Sequence, residues 1–266
     1  MSRIDLKYTS VPADEKKYGK GYSFNSLSKK DFSTFNPLTL GIGDISAEGT
    51  YVQALAAFFD LEGFTSFGNQ IDPHLVVPEF LNRYLNWLFE TLSHSFRESE
   101  TPENVLIWGS LPFYAKFLGD GILFLWDTKY SKGFSGIANI VAKLYVTTKV
   151  YQESFLPEIS KHVTKPPQRL RCGIARGQII ALGNGSDYVG SCINIASRLQ
   201  KLNKLSFAIS RRGFDITELQ KEVELWNDFV LKKVAIHGIG EKELVYVLKS
   251  EFDKLSPNKK VSFLNP

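Results

Sequence analysis

Two carboxylates stand where an apolar chain has little other use for them. Asp60 closes the hydrophobic run Tyr51 to Asp60, and Asp120 tips the stretch Lys116-Phe117-Leu118-Gly119-Asp120-Gly121-Ile122-Leu123-Phe124-Leu125-Trp126-Asp127. That stretch reads as two short strands folded back over a Gly-Asp-Gly turn. Carboxylates at the ends of neighbouring strands make a hard-oxygen site for Mg²⁺ or Mn²⁺, with substrate phosphates sharing the load. Taken singly, each aspartate is also an ordinary turn residue. Lys116 is the surplus feature, since a plain turn needs no lysine four residues before its tip. Asn194 and Arg198 form a further polar pair, and four residues apart on a helix they share one face. Without the Gly190 turn before them they would read as an exposed polar stripe.

The elements that must position these residues follow from periodicity. Tyr51 to Asp60 is a buried strand, and His74 to Phe96 carries Val77, Phe80, Leu81, Tyr84, Leu85, Leu88 and Leu92 at helical spacing, with Pro78 in the first turn. Residues 98 to 112 read as a loop-like insert, and the hairpin follows. Gly136 to Phe155 is a second amphipathic helix. Leu170 to Ala175 and Gln178 to Leu182 read as a strand pair around Arg176-Gly177. Gly190 to Leu202 is a third helix, and Leu244 to Leu248 a closing strand. This order argues for an α+β sandwich with helices against one sheet. Residues 1–45 are expected as an irregular N-terminal arm whose aromatics (Tyr18, Tyr22, Phe24, Phe32, Phe35) partly pack onto the body, 46–250 as the main domain and 251–266 as a polar tail.

The totals exclude some partners. Across 266 residues, 32 basic side chains are spread among 28 acidic ones, so no polybasic block marks a nucleic-acid or lipid surface. No signal segment and no apolar run of about 18 residues is present, so direct membrane insertion is not expected. The only cysteines, Cys172 and Cys192, form no CxxC pattern and point to a reduced, cytoplasmic protein with buried thiols. His74, His94, His162 and His237 are isolated in sequence and receive no catalytic role.

Four motifs occur in order: Phe59-Asp60-Leu61-Glu62-Gly63-Phe64-Thr65, Lys116 to Gly121, Cys172-Gly173-Ile174-Ala175-Arg176-Gly177, and Asp187 to Leu199. Together they resemble the class III nucleotidyl cyclases, the adenylate and guanylate cyclase family. The match runs from about Ala54 to Leu202, with a weaker echo from Gly238 to Val247. The resemblance implies an α+β, ferredoxin-like βαββαβ catalytic domain working as a head-to-tail homodimer with shared active sites. It makes Asp60 and Asp120 the metal-binding aspartates, with the Leu61 carbonyl as an added ligand and two Mn²⁺ or Mg²⁺ ions per site. It makes Phe64 and Thr65 substrate-binding positions, Asn194 and Arg198 the pair that orients the ribose and supports the transition state, and Lys116 and Asp187 the readers of the base. In the family, metal residues and base readers of one site come from different subunits, so a chain carrying both implies two equivalent sites. One departure stands out. Where the family has a triphosphate lysine in a Lys-Gly-Lys-Gly-like context, this chain has His237-Gly238-Ile239-Gly240, leaving Lys232, Lys233 or Lys242 as stand-ins.

Lys116 donates and Asp187 accepts. The resemblance implies that this pair is the family's adenine-reading pattern and disfavours GTP, since guanylate cyclases place an acidic and a small residue at these positions. Cytosine offers the same edge, and uracil satisfies the pair in swapped order. The strings Ile71 to Pro78, Leu111 to Asp120, Phe124 to Asp127 and Gly183 to Gly190 further resemble the bacterial pyrimidine cyclases of Pycsar anti-phage systems. That branch implies a nucleoside triphosphate substrate, UTP ahead of CTP, and a cyclic nucleotide sensed by a separate effector. An adenylate cyclase, a catalytically inactive cyclase-like binding module and a polymerase-like palm are the competing readings.

Overall fold

The computed structural model of the chain describes residues 8–34, 36–46, 48–129, 133–202, 205–214 and 224–266. They fall into two compact units. One comprises Val52–Ile179 with Gly190–Pro266, the other the residues up to Tyr51 with Ile180–Val189.

The larger unit is built on a sheet whose first strand in the chain, β3 (Thr50–Glu62), holds Ala54, Leu55, Ala56 and Ala57 fully buried. Small residues alternating with Leu and Phe suit a central strand covered on both faces. After β3 come the short α3 (Phe64–Gly68) and the long α4 (Pro73–Phe96), then β4 (Arg97–Glu100), β5 (Val105–Ile107), β6 (Tyr114–Phe117) and β7 (Gly121–Asp127). Next are α5 (Gly133–Val150), a π-helical turn over Tyr151–Phe155, α6 (Leu156–Ile159) and β8 (Arg169–Leu182). The chain continues through β9 (Asp187–Val189), α7 (Ser191–Leu199), β10 (Phe207–Ser210), β11 (Phe229–Ile236), β12 (Gly240–Leu248), α8 (Lys249–Asp253), α9 (Pro257–Lys260) and β13 (Phe263–Leu264). The main path of the sheet runs β13-β11-β12-β10-β8-β3-β7-β6. Within it, β3-α4-β6-β7-α5-β8 with spatial order β8-β3-β7-β6 is the ferredoxin-like βαββαβ arrangement.

Both long helices bury one stripe against this sheet. On α4 the buried residues are Phe80, Tyr84, Leu88, Leu92 and Phe96, each four after the last, which keeps them on one face. On α5 the buried apolar residues are Ile137, Ala138, Ile140, Val141, Leu144 and Tyr145, followed by the buried Thr147 and Thr148. Phe80 stacks on Tyr84 at 5.8 Å, and Trp87 meets Phe155 at 4.8 Å, so α4 and the π-helical turn after α5 are joined through an aromatic cluster. Removing a fully buried ring such as Phe80 costs about 3–5 kcal/mol. Pro78 falls in the second turn of α4 rather than the first, because the helix already starts at Pro73.

Several sequence expectations need correction. Residues 169–182 are one continuous strand, not a pair, because Gly177 stays out of the positive-φ region that a tight turn at Arg176-Gly177 would require. Along its length β8 pairs parallel with β10 at Cys172–Ile174 and antiparallel with β9 at Ile180–Leu182. The 98–112 insert contains the β4–β5 hairpin, exposed throughout. Residues beyond 250 are ordered: Phe263 is buried, and β13 pairs with β11.

The smaller unit contains the antiparallel β1 (Thr9–Pro12) and β2 (Ser23–Ser26), the short helices α1 (Glu15–Tyr18) and α2 (Lys29–Thr34), and β9. The arm's aromatics Tyr18, Tyr22, Phe24 and Phe32 are exposed rather than packed away, and Tyr18 and Phe24 meet edge to face at 5.2 Å. Phe35 lies outside the described residues.

Candidate active site

The β6–β7 turn closes through Leu118 N–H donating to the Gly121 carbonyl at 2.7 Å. Gly119 takes φ +90°, the conformation that the first central residue of a II′ hairpin turn demands. Asp120 therefore sits at the tip, and β3 runs alongside with Asp60 opposite Gly121. The Leu61 N–H donates to the Asp120 carbonyl at 3.2 Å, which ties the turn to the end of β3. The two expected metal aspartates are thus neighbours across the strand pair. Leu61, the third expected ligand, directly follows Asp60 and faces Asp120 across the pair.

Their environments differ. Asp120 is half-buried, whereas Asp60 is 1% exposed. Burial pushes the Asp60 carboxyl above the usual carboxylate range. The Asp120 charge adds to that push, and Arg171 opposes it through hydrogen bonds and charge. Arg171 was not singled out by the sequence motifs. It reaches from β8, beside β3, and donates to Asp60 Oδ2 from Nε at 3.1 Å and from Nη2. Two residues along each strand, on the same face, Arg169 Nε donates to Glu62 Oε2 at 2.7 Å. The first pair is nearly dry, with side-chain exposure of 15% for Arg171 and 2% for Asp60. Such a pair adds little net stability when intact but is costly to break from one side.

The donor chemistry suits a hard divalent cation. Asp60 and Asp120, with the backbone of Leu61, bring oxygen donors to one end of a strand pair. Among the described residues no cluster of three or more His, Cys, Asp or Glu gathers elsewhere or here. Two carboxylates and one carbonyl are fewer oxygens than a hard divalent cation takes up in full.

Phe64 and Thr65 open α3 just past this end of β3. The Phe64 ring is committed to packing, 5.9 Å from Phe67 and 6.3 Å from Phe80, while Thr65 is exposed.

Asn194 and Arg198 ride on α7. That helix buries Cys192, Ile195, Ala196 and Leu199, so the two polar residues fall on the opposite, exposed face. It lies flush on β8 because Gly173 has no side chain: a Cβ there would stand 2.2 Å from the Ala196 carbonyl oxygen. Arg198 finds a partner that sequence reasoning passed over. Its Nη1 donates to His237 Nδ1 at 3.4 Å, from the turn between β11 and β12. Of the suggested stand-in lysines, Lys232 is engaged elsewhere, donating to Asn265 at 3.0 Å and lying 4.6 Å from the Phe252 ring.

The two expected base readers occupy different units. Lys116 is half-buried on β6, opposite Leu123. Asp187 begins β9 in the smaller unit, where its Oδ1 accepts from the Tyr188 N–H at 2.9 Å. The cysteines are inert packing groups as expected: burial pushes the Cys192 thiol up to about 11 and the Cys172 thiol well above its ordinary value.

No protein-family model matches the chain, and no curated protein does. Solved structures do. The crystal structure of the adenylyl cyclase CyaB from P. aeruginosa superposes with a TM-score of 0.54 at 18% identity, covering 76% of this chain and 96% of that one. The guanylyl cyclase Cya2 superposes with a TM-score of 0.53 at 19% identity, covering 76% and 94%. The chain has the class III cyclase fold. At these identities the likeness speaks for the fold alone. Within that fold, Asp60 of β3 and Asp120 of the β6–β7 turn are neighbours. No described helix is long and apolar enough to cross a membrane.

Proposed function

We propose that the chain is a nucleotidyl cyclase that converts a pyrimidine nucleoside triphosphate, UTP ahead of CTP, to its 3′,5′-cyclic monophosphate and pyrophosphate. The observation that carries this reading is the pairing of Asp60 with Asp120 at one end of the β3–β7 pair inside a cyclase fold. In the reaction the ribose 3′ oxygen bonds to the α-phosphorus, the bond to the β-phosphate bridge breaks, pyrophosphate leaves and the hydroxyl proton passes to solvent. Two Mn²⁺ or Mg²⁺ ions held by Asp60, Asp120 and the Leu61 carbonyl would supply charge neutralisation and a lowered hydroxyl pKa. Arg198 offers guanidinium N–H donors to the charge that grows on the transferring phosphoryl group, and Asn194, one turn earlier, orients the ribose. Phe64 and Thr65, which open α3 beside Asp60, are the substrate-binding positions, Thr65 through its exposed side chain.

We assign the working form as a homodimer in which Asp60 and Asp120 of one subunit serve a site completed by Asn194 and Arg198 of the other. The catalytic domain spans residues 46–250, with 1–45 as an arm available for regulation and 251–266 as a C-terminal segment docked through β13. The protein works in the cytoplasm, and its product is read by a separate effector in anti-phage defence.

The base preference rests on Lys116 as donor and Asp187 as acceptor together with the local strings that resemble pyrimidine cyclases. The same donor and acceptor fit adenine, which keeps an adenylate cyclase as the second reading. Calorimetric titration with 3′-deoxynucleoside triphosphates, which lack the attacking hydroxyl, separates the two. In the presence of Mn²⁺, 3′-deoxy-UTP or 3′-deoxy-CTP should bind at least about tenfold tighter than 3′-deoxy-ATP, a difference of roughly 1.4 kcal/mol. Tighter binding of 3′-deoxy-ATP would overturn the pyrimidine assignment.

A further inference from the structure

We infer that His237 is a positioning residue for Arg198, a role that rests on the cyclase reading and extends it. The residue lies in the reverse turn Ile236-His237-Gly238-Ile239, closed by Ile239 N–H donating to the Ile236 carbonyl at 3.0 Å. The turn is held by two long strands, since β11 and β12 pair from Phe229 opposite Leu248 to Ile236 opposite Gly240. α7 is likewise fixed by its buried stripe against the sheet. Two rigid elements, 39 residues apart in sequence, thus bring an imidazole to an exposed guanidinium.

The direction of the hydrogen bond sets the chemistry. Arg198 has only donors, so in this contact His237 Nδ1 must be the acceptor, which requires the tautomer that carries its ring proton on Nε2. An exposed arginine otherwise loses considerable rotamer freedom whenever it is ordered. With Nη1 anchored on His237, the side chain is held in one orientation before substrate arrives, and its remaining N–H groups are left for phosphoryl oxygens. Both residues belong to the same chain, so the contact is carried into a dimer unchanged. A phosphate-facing cation at position 237 would be a different role, and it makes the opposite prediction.

The test uses His237→Asn, His237→Leu and His237→Lys in the full chain, with melting temperatures as a folding control. Asn places Oδ1 where the imidazole has Nδ1, so it should keep kcat within about threefold of the original chain, whereas Leu should lower kcat about tenfold with KM within about twofold. Lys, whose ammonium would face the guanidinium, should lose at least as much as Leu. An active Lys variant beside an inactive Asn variant would make His237 a phosphate-binding cation and overturn the positioning role, as would a Leu variant with unchanged kcat. ¹⁵N NMR of the imidazole reads the contact without turnover: the Nδ1 signal of His237 should move in Arg198→Ala. An unmoved signal would overturn the contact even if no triphosphate is cyclised, and a moved signal beside an inactive original chain would uphold the contact while refuting the cyclase reading.

Discussion

Asp120→Ala is expected to lower turnover by about 10³-fold or more while leaving the melting temperature within a few degrees. Asp120 is half-buried at a turn tip whose backbone bonds, Leu118 to Gly121 and Leu61 to Asp120, do not involve its side chain. With the proposed metal chemistry, loss of one of the two carboxylates would remove several kcal/mol of transition-state stabilisation, and ~10³-fold corresponds to roughly 4 kcal/mol. Asp60→Ala should be equally inactive but should also be unstable. Its removal strands the Arg171 guanidinium, 15% exposed, beside β3. Breaking such a pair from one side costs roughly 3 kcal/mol or more, which for a domain of this size lowers the melting temperature by about 10 °C. Kinetics and a thermal melt on both variants check this. Equal stabilities would mean that Arg171 does not depend on Asp60, and substantial activity in Asp120→Ala would remove it from the metal site.

Mixing two inactive chains should restore activity. Asp120→Ala disables the metal side of a site and Arg198→Ala the phosphoryl side. If one site takes Asp120 from one subunit and Arg198 from the other, a hybrid dimer has one site with both lesions and one with neither. In an equimolar, fully exchanged mixture about half the dimers are hybrids with one of two sites intact, so about a quarter of the original activity should return. Asp120 is the better partner than Asp60 here because its loss does not disturb Arg171. No recovery, with hybrid formation demonstrated by differently tagged chains, would refute shared sites.

Much of the frame was legible in the residues. The small apolar run of β3, the stripe of α4 every fourth residue and the Gly119-Asp120 turn are local signals, and each lies where it was expected. What escaped was set by pairing at long range. Arg176-Gly177 looks like a turn, yet a β8 held by β10 at one end and β9 at the other runs straight through it. β10 has only four residues, and Lys232-Lys233 interrupts the apolar character of β11, so neither stood out. The tail looked polar because one buried ring, Phe263, is enough to dock it.

The same division holds at the candidate site. Asp60 and Asp120 announced themselves by ending apolar strands. Arg171 meets Asp60 across 111 residues of sequence, and His237 meets Arg198 across 39. Those partners follow from which strands lie side by side, information that a motif does not contain. His237 looked like an isolated histidine, and only the β11–β12 turn gives it a neighbour.

Cyclisation itself is tested most directly by incubating the purified protein with Mn²⁺ and an equimolar mixture of UTP, CTP, ATP and GTP, then identifying the products by mass spectrometry. The expected result is one cyclic mononucleotide, cyclic UMP or cyclic CMP, with one pyrophosphate released for each. Cyclic AMP as the sole product would contradict the pyrimidine assignment, and no cyclic product from any of the four would contradict the cyclase reading.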